Sequence, residues 1–407
     1  MLPIERGLEI VMSVAKSQDR PDRMSAEAVA LADSAHRIIR EDVFADADSP
    51  RFDKAIRDGF AVRFEDIEQV PSVLSVVAES RAGSGSHVTV QRGQCCEIMT
   101  GAPLPAGANA VVMVENTERI SPGSVRILKS ARENEGLLRQ GTEARKGDLI
   151  LQSGRRIGLA DLGLLAGVGK SSVMVSRKPR VAVIATGDEL VEVEESPKPD
   201  QIRNSNTYTI SAQLKEAGAE PVALGIARDN LDDLRARIRR GLKHDILIVS
   251  GGVSMGKYDL VEQVFAELGI EVLFDKVAMK PGKPTVFGHA RHAGQTYVFG
   301  LPGNPISTMV SFHMFVRPLI LFLLKAADTK PKILSATLEA PAKCDPERAA
   351  LVPALVRFVA GQYWIHSAPW KGSSDLVGLS RANALMMIPS RSGTLETGEI
   401  AQFLFME

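Results

Sequence analysis

The chain has 407 residues, 44% of them hydrophobic and 24% charged, with 49 lysines and arginines balanced by 49 aspartates and glutamates. That length asks for about two to four domains, and the charge balance argues against a nucleic-acid coat or a membrane-surface binder, though not against a local basic pocket. Cys95, Cys96 and Cys344 show neither a disulfide framework nor a zinc spacing, and read as buried structural thiols in a reducing, cytoplasmic compartment.

Helical periodicity opens the chain over residues 4–17. Glu5, Arg6 and Glu9 lie inside it, which is unlike a signal peptide. Ser25, read as an N-cap before Ala-Glu-Ala, begins a further short element to residue 31. Residues 50–61 read as a loop carrying Asp53 and Arg57-Asp58-Gly-Phe60. Short β-runs broken by glycine and proline follow over 72–128 and predict a small all-β unit. Residues 147–169 hold a strand, a turn and a helix, and Ser176-Arg-Lys-Pro-Arg180 reads as a basic hinge.

Beyond residue 181 strands and helices alternate. Strands are predicted at 181–185, 221–226, 245–249 and 296–300. Helices are predicted at 206–217, 231–242 and 260–268, with Gly218 and Gly269 as stops. This alternation implies a doubly wound, mainly parallel sheet. The most apolar helix-like run, 309–324, is broken by His313, Arg317 and Pro318 and reads as short of the ~20 residues that span a bilayer. After Lys330-Pro-Lys332, β-runs at 333–338, 355–359, 384–388 and 400–405, with a turn at 393–398, predict a C-terminal β domain.

Chemistry-bearing residues cluster in the loops after the α/β strands, where open α/β sheets bind ligands. Asp188 and Glu189, in Thr186-Gly-Asp-Glu189, can reach a ligand or metal, or simply begin a helix. Asp229 lies at a strand end and can join them. In Ser250-Gly-Gly-Val-Ser-Met-Gly-Lys-Tyr-Asp259, Gly251 and Gly252 let backbone N–H groups approach an anion, with Ser254 beside them, and Gly256 permits a second bend. Asp259 can cap the next helix or bind Mg²⁺. No P-loop pattern is present.

Met279-Lys-Pro-Gly-Lys-Pro284 holds Lys280 and Lys283 on a stiff turn, as point charges for phosphate or as a solvated face. In Leu301-Pro-Gly-Asn-Pro-Ile-Ser307, Pro302 and Pro305 bracket Gly303-Asn304, and Ser307 can cap the next helix. Residues 203–206, Arg-Asn-Ser-Asn, precede a helix start that can bind an anion or be capped. Asp58 and Thr100 lie on rigid loops of the N-terminal half and are turn residues or ligand contacts. The seven histidines form no i,i+4 metal pair; His289 and His292 read as a surface hairpin.

Taken in order, Asp58-Gly-Phe-Ala61, Met99-Thr-Gly-Ala-Pro-Leu-Pro105, Ala185-Thr-Gly-Asp-Glu-Leu190 and the three loops between residues 250 and 307 resemble the molybdopterin molybdenumtransferase family, which is related to the gephyrin C-terminal domain. The resemblance implies a multidomain α/β plus β protein. Its parts are an N-terminal mixed dimerisation domain (1–45 with 140–178), a small all-β insertion domain (46–139), a central doubly wound mainly parallel α/β domain (179–328) and a C-terminal β domain (329–407). It also implies an elongated homodimer in which N-terminal segments of one subunit complete the cleft of the other.

Adenylylated molybdopterin, molybdate and Mg²⁺ are the implied ligands, with Mo-molybdopterin and AMP as products. No nucleic acid or membrane partner is implied, and contact with the upstream molybdopterin adenylyltransferase is. Asp188, Glu189, Asp259, Lys280 and Lys283 carry over as catalytic, with Asp259, Glu189 and Asp229 on the metal. Asp58, Thr100, Gly251, Gly252, Ser254, Gly256, Pro302, Asn304 and Pro305 carry over as substrate-binding. The chain departs from the family pattern at Lys54, Arg57, Phe60, Asn109 and Glu143, all in the N-terminal half. Those departures fit an alternative, a divergent paralogue that binds a pterin or nucleotide with weak or altered activity. A non-catalytic dimeric scaffold is a third reading.

Overall fold

A computed structural model of the chain describes residues 1–17, 25–83, 88–252, 260–290 and 295–406. The amphipathic helix Ile4–Ser17 buries Ile4, Gly7, Val11 and Ala15. The sequence groups it with the N-terminal unit, yet its apolar face joins the core of the α/β domain. Gly7 permits this approach: a Cβ there would lie 3.1 Å from the Phe315 ring.

Residues 25–31 differ from expectation. Ser25 caps no helix, and Ala26–Ala30 is a strand paired antiparallel with Ser172–Ser176. Local alanine propensity yields here to a β-forming partner in a remote segment. Val43–Phe44 pairs with Leu149–Leu151 in the same way, so the mixed N-terminal unit is built from segments on either side of the β insertion. Within that insertion, Gly59–Val62 is a fully buried central strand rather than loop, between Gln94–Ile98 and Ala110–Met113.

The α/β sheet has six strands. Glu220–Ala227, Arg180–Thr186, Ile246–Ser250 and Thr296–Leu301 run parallel in that order. Val286–Ala290 and Ile270–Phe274 then extend the sheet antiparallel. Those two strands are not legible from alternation, and they correct the reading of His289. It does lie on a hairpin, opposite Tyr297, but it is 2% exposed and not on the surface; His292 falls outside the described residues.

A continuous helical run, Pro305–Ser311, a π turn at Phe312–Val316 and Arg317–Leu323, crosses beneath the sheet. At 19 residues it is long and apolar enough to span a bilayer by composition, contrary to the shorter run expected, but 83% of its apolar window is buried inside the protein, as a core helix is. In the C-terminal domain Ala349–Val359 pairs with both Gln362–Ser367 and Ala384–Ile388, which closes a five-stranded barrel through Leu334–Leu338 and Ile400–Phe405. Met279–Lys280 from the α/β domain adds a parallel bridge to Ala349 and Ala350, so the lysine loop sits on the seam between the two domains.

Candidate active site

Four parallel strands end on one side, and their following loops enclose a cavity of about 650 Å³. Glu189, Asp229, Gly251, Gly252, Pro302, Asn304 and Pro305 all line it. Ser254, Gly256 and Asp259 lie outside the described residues. The glycine turn has a steric cause. Gly251 holds φ +95° with its missing Cβ 2.6 Å from the Thr186 carbonyl oxygen, and Gly252 holds φ +65° with its missing Cβ 2.5 Å from the Thr186 hydroxyl. Side chains at either position would both strain the backbone and collide with the neighbouring strand end.

Asn206 opens its helix and fastens the rim. Its Nδ2 donates to the Gly303 carbonyl at 2.7 Å and to the Ser250 hydroxyl at 3.0 Å, joining loops from two strands. Arg203 Nε donates to the carbonyls of Val193 and Glu195 and so secures the acidic 192–199 loop. Asp188 does not line the cavity: its carboxylate accepts from the Asp229 N–H at 3.2 Å and ties the two acidic loops together. Glu189 and Asp229 are left as the exposed carboxylates of the rim. Among the described residues no group of three or more potential metal ligands exists. Ser307, expected as a cap, lies within the helix; the capping position is Asn304, whose side chain instead donates to Ser373 Oγ at 2.9 Å.

Lys280 and Lys283 line a second cavity, of about 320 Å³, that shares Pro284, Pro302 and Asn304 with the first. The lysine loop is braced from beneath. Gly282 leaves room for Met279 Cε, and Thr285 Oγ1 bonds both the Gly282 carbonyl and Ser311 Oγ. Arg348, Ser373 and Trp370 of the C-terminal domain complete this cavity, while Ser374 and Leu376 reach the larger one. Asp345 faces Lys280 Nζ at 3.6 Å and Arg348 at 3.1 Å. The Glu347 N–H, with help from Arg348, holds its carboxyl below the usual carboxylate range. Two of the three lining cations thus meet one carboxylate, and the excess of positive charge suits a small anion.

Sequence reasoning missed Arg348, Ser373 and Ser374. The signal was a polar Gly-Ser turn, Lys371-Gly-Ser-Ser374, followed by Asp375, whose carboxylate accepts from the Lys371 and Gly378 N–H groups and shapes the turn. Asp58 and Thr100 line neither cavity. Thr100 donates to Asp58 Oδ1 from its backbone at 2.6 Å and its hydroxyl at 2.9 Å, which keeps that carboxyl below its ordinary range.

Three family models tile the chain: the MoeA N-terminal region (domain I and II) over residues 2–169, a probable molybdopterin binding domain over 182–321, and the MoeA C-terminal region (domain IV) over 335–406. A molybdopterin molybdenumtransferase from Bacillus subtilis is 37% identical over 388 residues, 93% of this chain and 90% of that protein. One from Staphylococcus epidermidis is 36% identical over 383 residues with the same coverage. The chain belongs to the molybdopterin molybdenumtransferase family. A molybdopterin biosynthesis MoeA protein from Pyrococcus horikoshii aligns over 100% of this chain and 99% of its own at TM-score 0.77 and 33% identity. A second, at 24% identity, shares the fold at TM-score 0.83.

Against the molybdopterin molybdenumtransferase pattern, two departures acquire a physical reading. Phe60 is 2% exposed within the β-insertion core, with the Arg119 guanidinium 5.7 Å from its ring centre. Glu143 accepts from the Ser49 hydroxyl at 2.7 Å on the N-terminal unit and lines neither cavity.

Proposed function

We propose that the chain inserts molybdenum from molybdate into adenylylated molybdopterin and releases AMP, as a cytoplasmic enzyme of molybdenum cofactor biosynthesis. One observation carries this reading: an acid-rimmed cavity large enough for a nucleotide-sized ligand shares a wall with a smaller cavity lined by cations. The larger cavity suits the adenylylated pterin, and the smaller suits the compact molybdate dianion, held by Lys280, Lys283 and the planar fork of Arg348. The shared wall of Pro284, Pro302 and Asn304 would set the two reactants side by side, and proximity of this kind lowers a bimolecular barrier.

Glu189 and Asp229 fit Mg²⁺, which binds through one or two carboxylates plus ligand phosphates and water. When bound, Mg²⁺ would neutralise negative charge on the pyrophosphate of the substrate. Asp188 would act by positioning Asp229. Asp58 and Thr100 have no place in the cleft of their own chain, which supports a homodimer in which the partner subunit brings them to it. Large apolar side chains left exposed on the N-terminal unit, Leu159 at 81% and Phe44 at 53%, support the same arrangement. A dimer would also offer its clefts to the upstream adenylyltransferase for direct transfer of substrate.

Purified protein supplied with adenylylated molybdopterin, molybdate and Mg²⁺ should release AMP and yield molybdenum-loaded pterin. Substrate binding without AMP release above background would replace this reading with that of a divergent, pterin-binding paralogue. Binding of neither ligand would leave only a scaffold role.

A further inference from the structure

A third cavity, of about 180 Å³, lies away from the cleft, between the core helix, the 331–334 linker and the last strand. Among the described residues its wall carries His313, Arg317 and Lys332 and no carboxylate; the remainder is proline and apolar side chains, among them Leu404 and Phe405. His313 is 6% exposed, and its Nε2 is buried without a hydrogen-bond partner among the described residues. Burial lowers the affinity of Arg317 for its proton, and the acids that oppose this, Glu216 and Asp328, act on it without forming an ion pair among the described residues. Arg156 adds further positive charge nearby.

A partly buried guanidinium with no direct ion pair and a buried ring nitrogen without a partner among the described residues are each costly. Both stand on the helix at or just after its π turn, Phe312–Val316, a departure from regular geometry found often at functional positions. We propose that this cavity binds a small tetrahedral oxyanion between Arg317, Lys332 and His313, fastening the C-terminal barrel to the core helix. The Arg317 fork supplies paired N–H donors, Lys332 supplies charge at the mouth, and neutral His313 donates from Nε2, the tautomer such an anion would select. The proposal is independent of the reading of the cleft, since this cavity shares no lining residue with either cavity of the cleft.

The test reads His313 itself. In the full-length protein labelled with ¹⁵N-histidine, with its signal identified by its loss in H313Q, the ring is titrated in chloride and then with phosphate, sulfate or molybdate at matched ionic strength. The expected result is a rise in the His313 pKa of about one unit or more, as a nearby anion favours the imidazolium, and no rise in R317M. Should R317M not fold, K332M, on the exposed linker, should show a clearly reduced rise. A response to molybdate at lower concentration than to phosphate or sulfate would support a site for the cargo ion, and equal responses a general oxyanion site. No shift with any of the three anions, or the same shift in R317M and K332M as in the wild type, would overturn the proposal.

Discussion

At the floor of the cleft, Gly252 holds φ +65°, and a Cβ there would lie 2.5 Å from the Thr186 hydroxyl and 2.9 Å from Val261 Cγ2. Gly252→Ala should therefore cost about 1–3 kcal/mol in urea unfolding and lower turnover by about tenfold or more as the rim shifts. Adding Thr186→Ala should recover part of the stability, because it removes the closer collision but leaves the Val261 contact and the backbone strain; a double variant no more stable than G252A would sink the steric account. In the neighbouring cavity, Lys283→Ala and Arg348→Ala should each raise the KM for molybdate about tenfold with a smaller change in kcat, as loss of ground-state binding does. An unchanged molybdate dependence in both would remove the anion assignment. Lys283 was legible because proline and glycine stiffen its motif. Arg348 was not, because its place in the cavity depends on a barrel strand meeting Met279–Lys280 across a domain seam. Asp188 shows the reverse: its motif pointed to the ligand, while its carboxylate is occupied by the backbone of Asp229.

Elements with their own periodicity were readable, and those that depend on a remote partner were not. Helix Ile4–Ser17 and the parallel strands that form the rim carry continuous apolar patterns, so their residues alone announce them. Ala26–Ala30 becomes a strand only through Ser172–Ser176, and Val286–Ala290, with Gly288 and His289 inside it, only through its hairpin with Thr296–Leu301. The core helix lay between these cases: its apolarity was visible, but neither its π turn nor the neighbours of its polar residues were. Burial pushes His313 down to about 4 from an ordinary value of 6.5, with Arg317 adding to the effect. The unfolded chain binds this proton below pH ~6.5 and the folded chain only below ~4, so stability should decrease as pH is lowered from ~6.5 to ~4. In chloride buffer the loss assignable to His313 should approach about 3 kcal/mol, and His313→Gln should flatten the dependence between those limits. A slope unchanged in H313Q would assign the acid sensitivity to other groups.

At the scale of the whole molecule, the proposed homodimer would draw the two halves of each cleft from different subunits. Asp58 and Thr100 form a paired, ionised loop on the β insertion, while Lys280 and Lys283 line a cavity built by the α/β and C-terminal domains. Were both sets to serve a cleft of the same chain, a variant of either set would be impaired alone and equally impaired in any mixture. In the homodimer proposed above, Asp58→Ala and Lys283→Ala spoil different subunits' contributions to a cleft. A heterodimer of the two variants would then hold one site with both residues intact and one with both missing. Mixing equal amounts, with partial unfolding and refolding to exchange subunits, should give half heterodimers with one working cleft each, and so about a quarter of wild-type AMP release. Assayed at molybdate well below the KM, where the loss of Lys283 is felt in full, each variant refolded alone should fall to about a tenth of wild type or less. No recovery in a mixture whose heterodimers are demonstrated by differential tagging would place the Asp58 loop outside the partner's cleft and end the shared-site model.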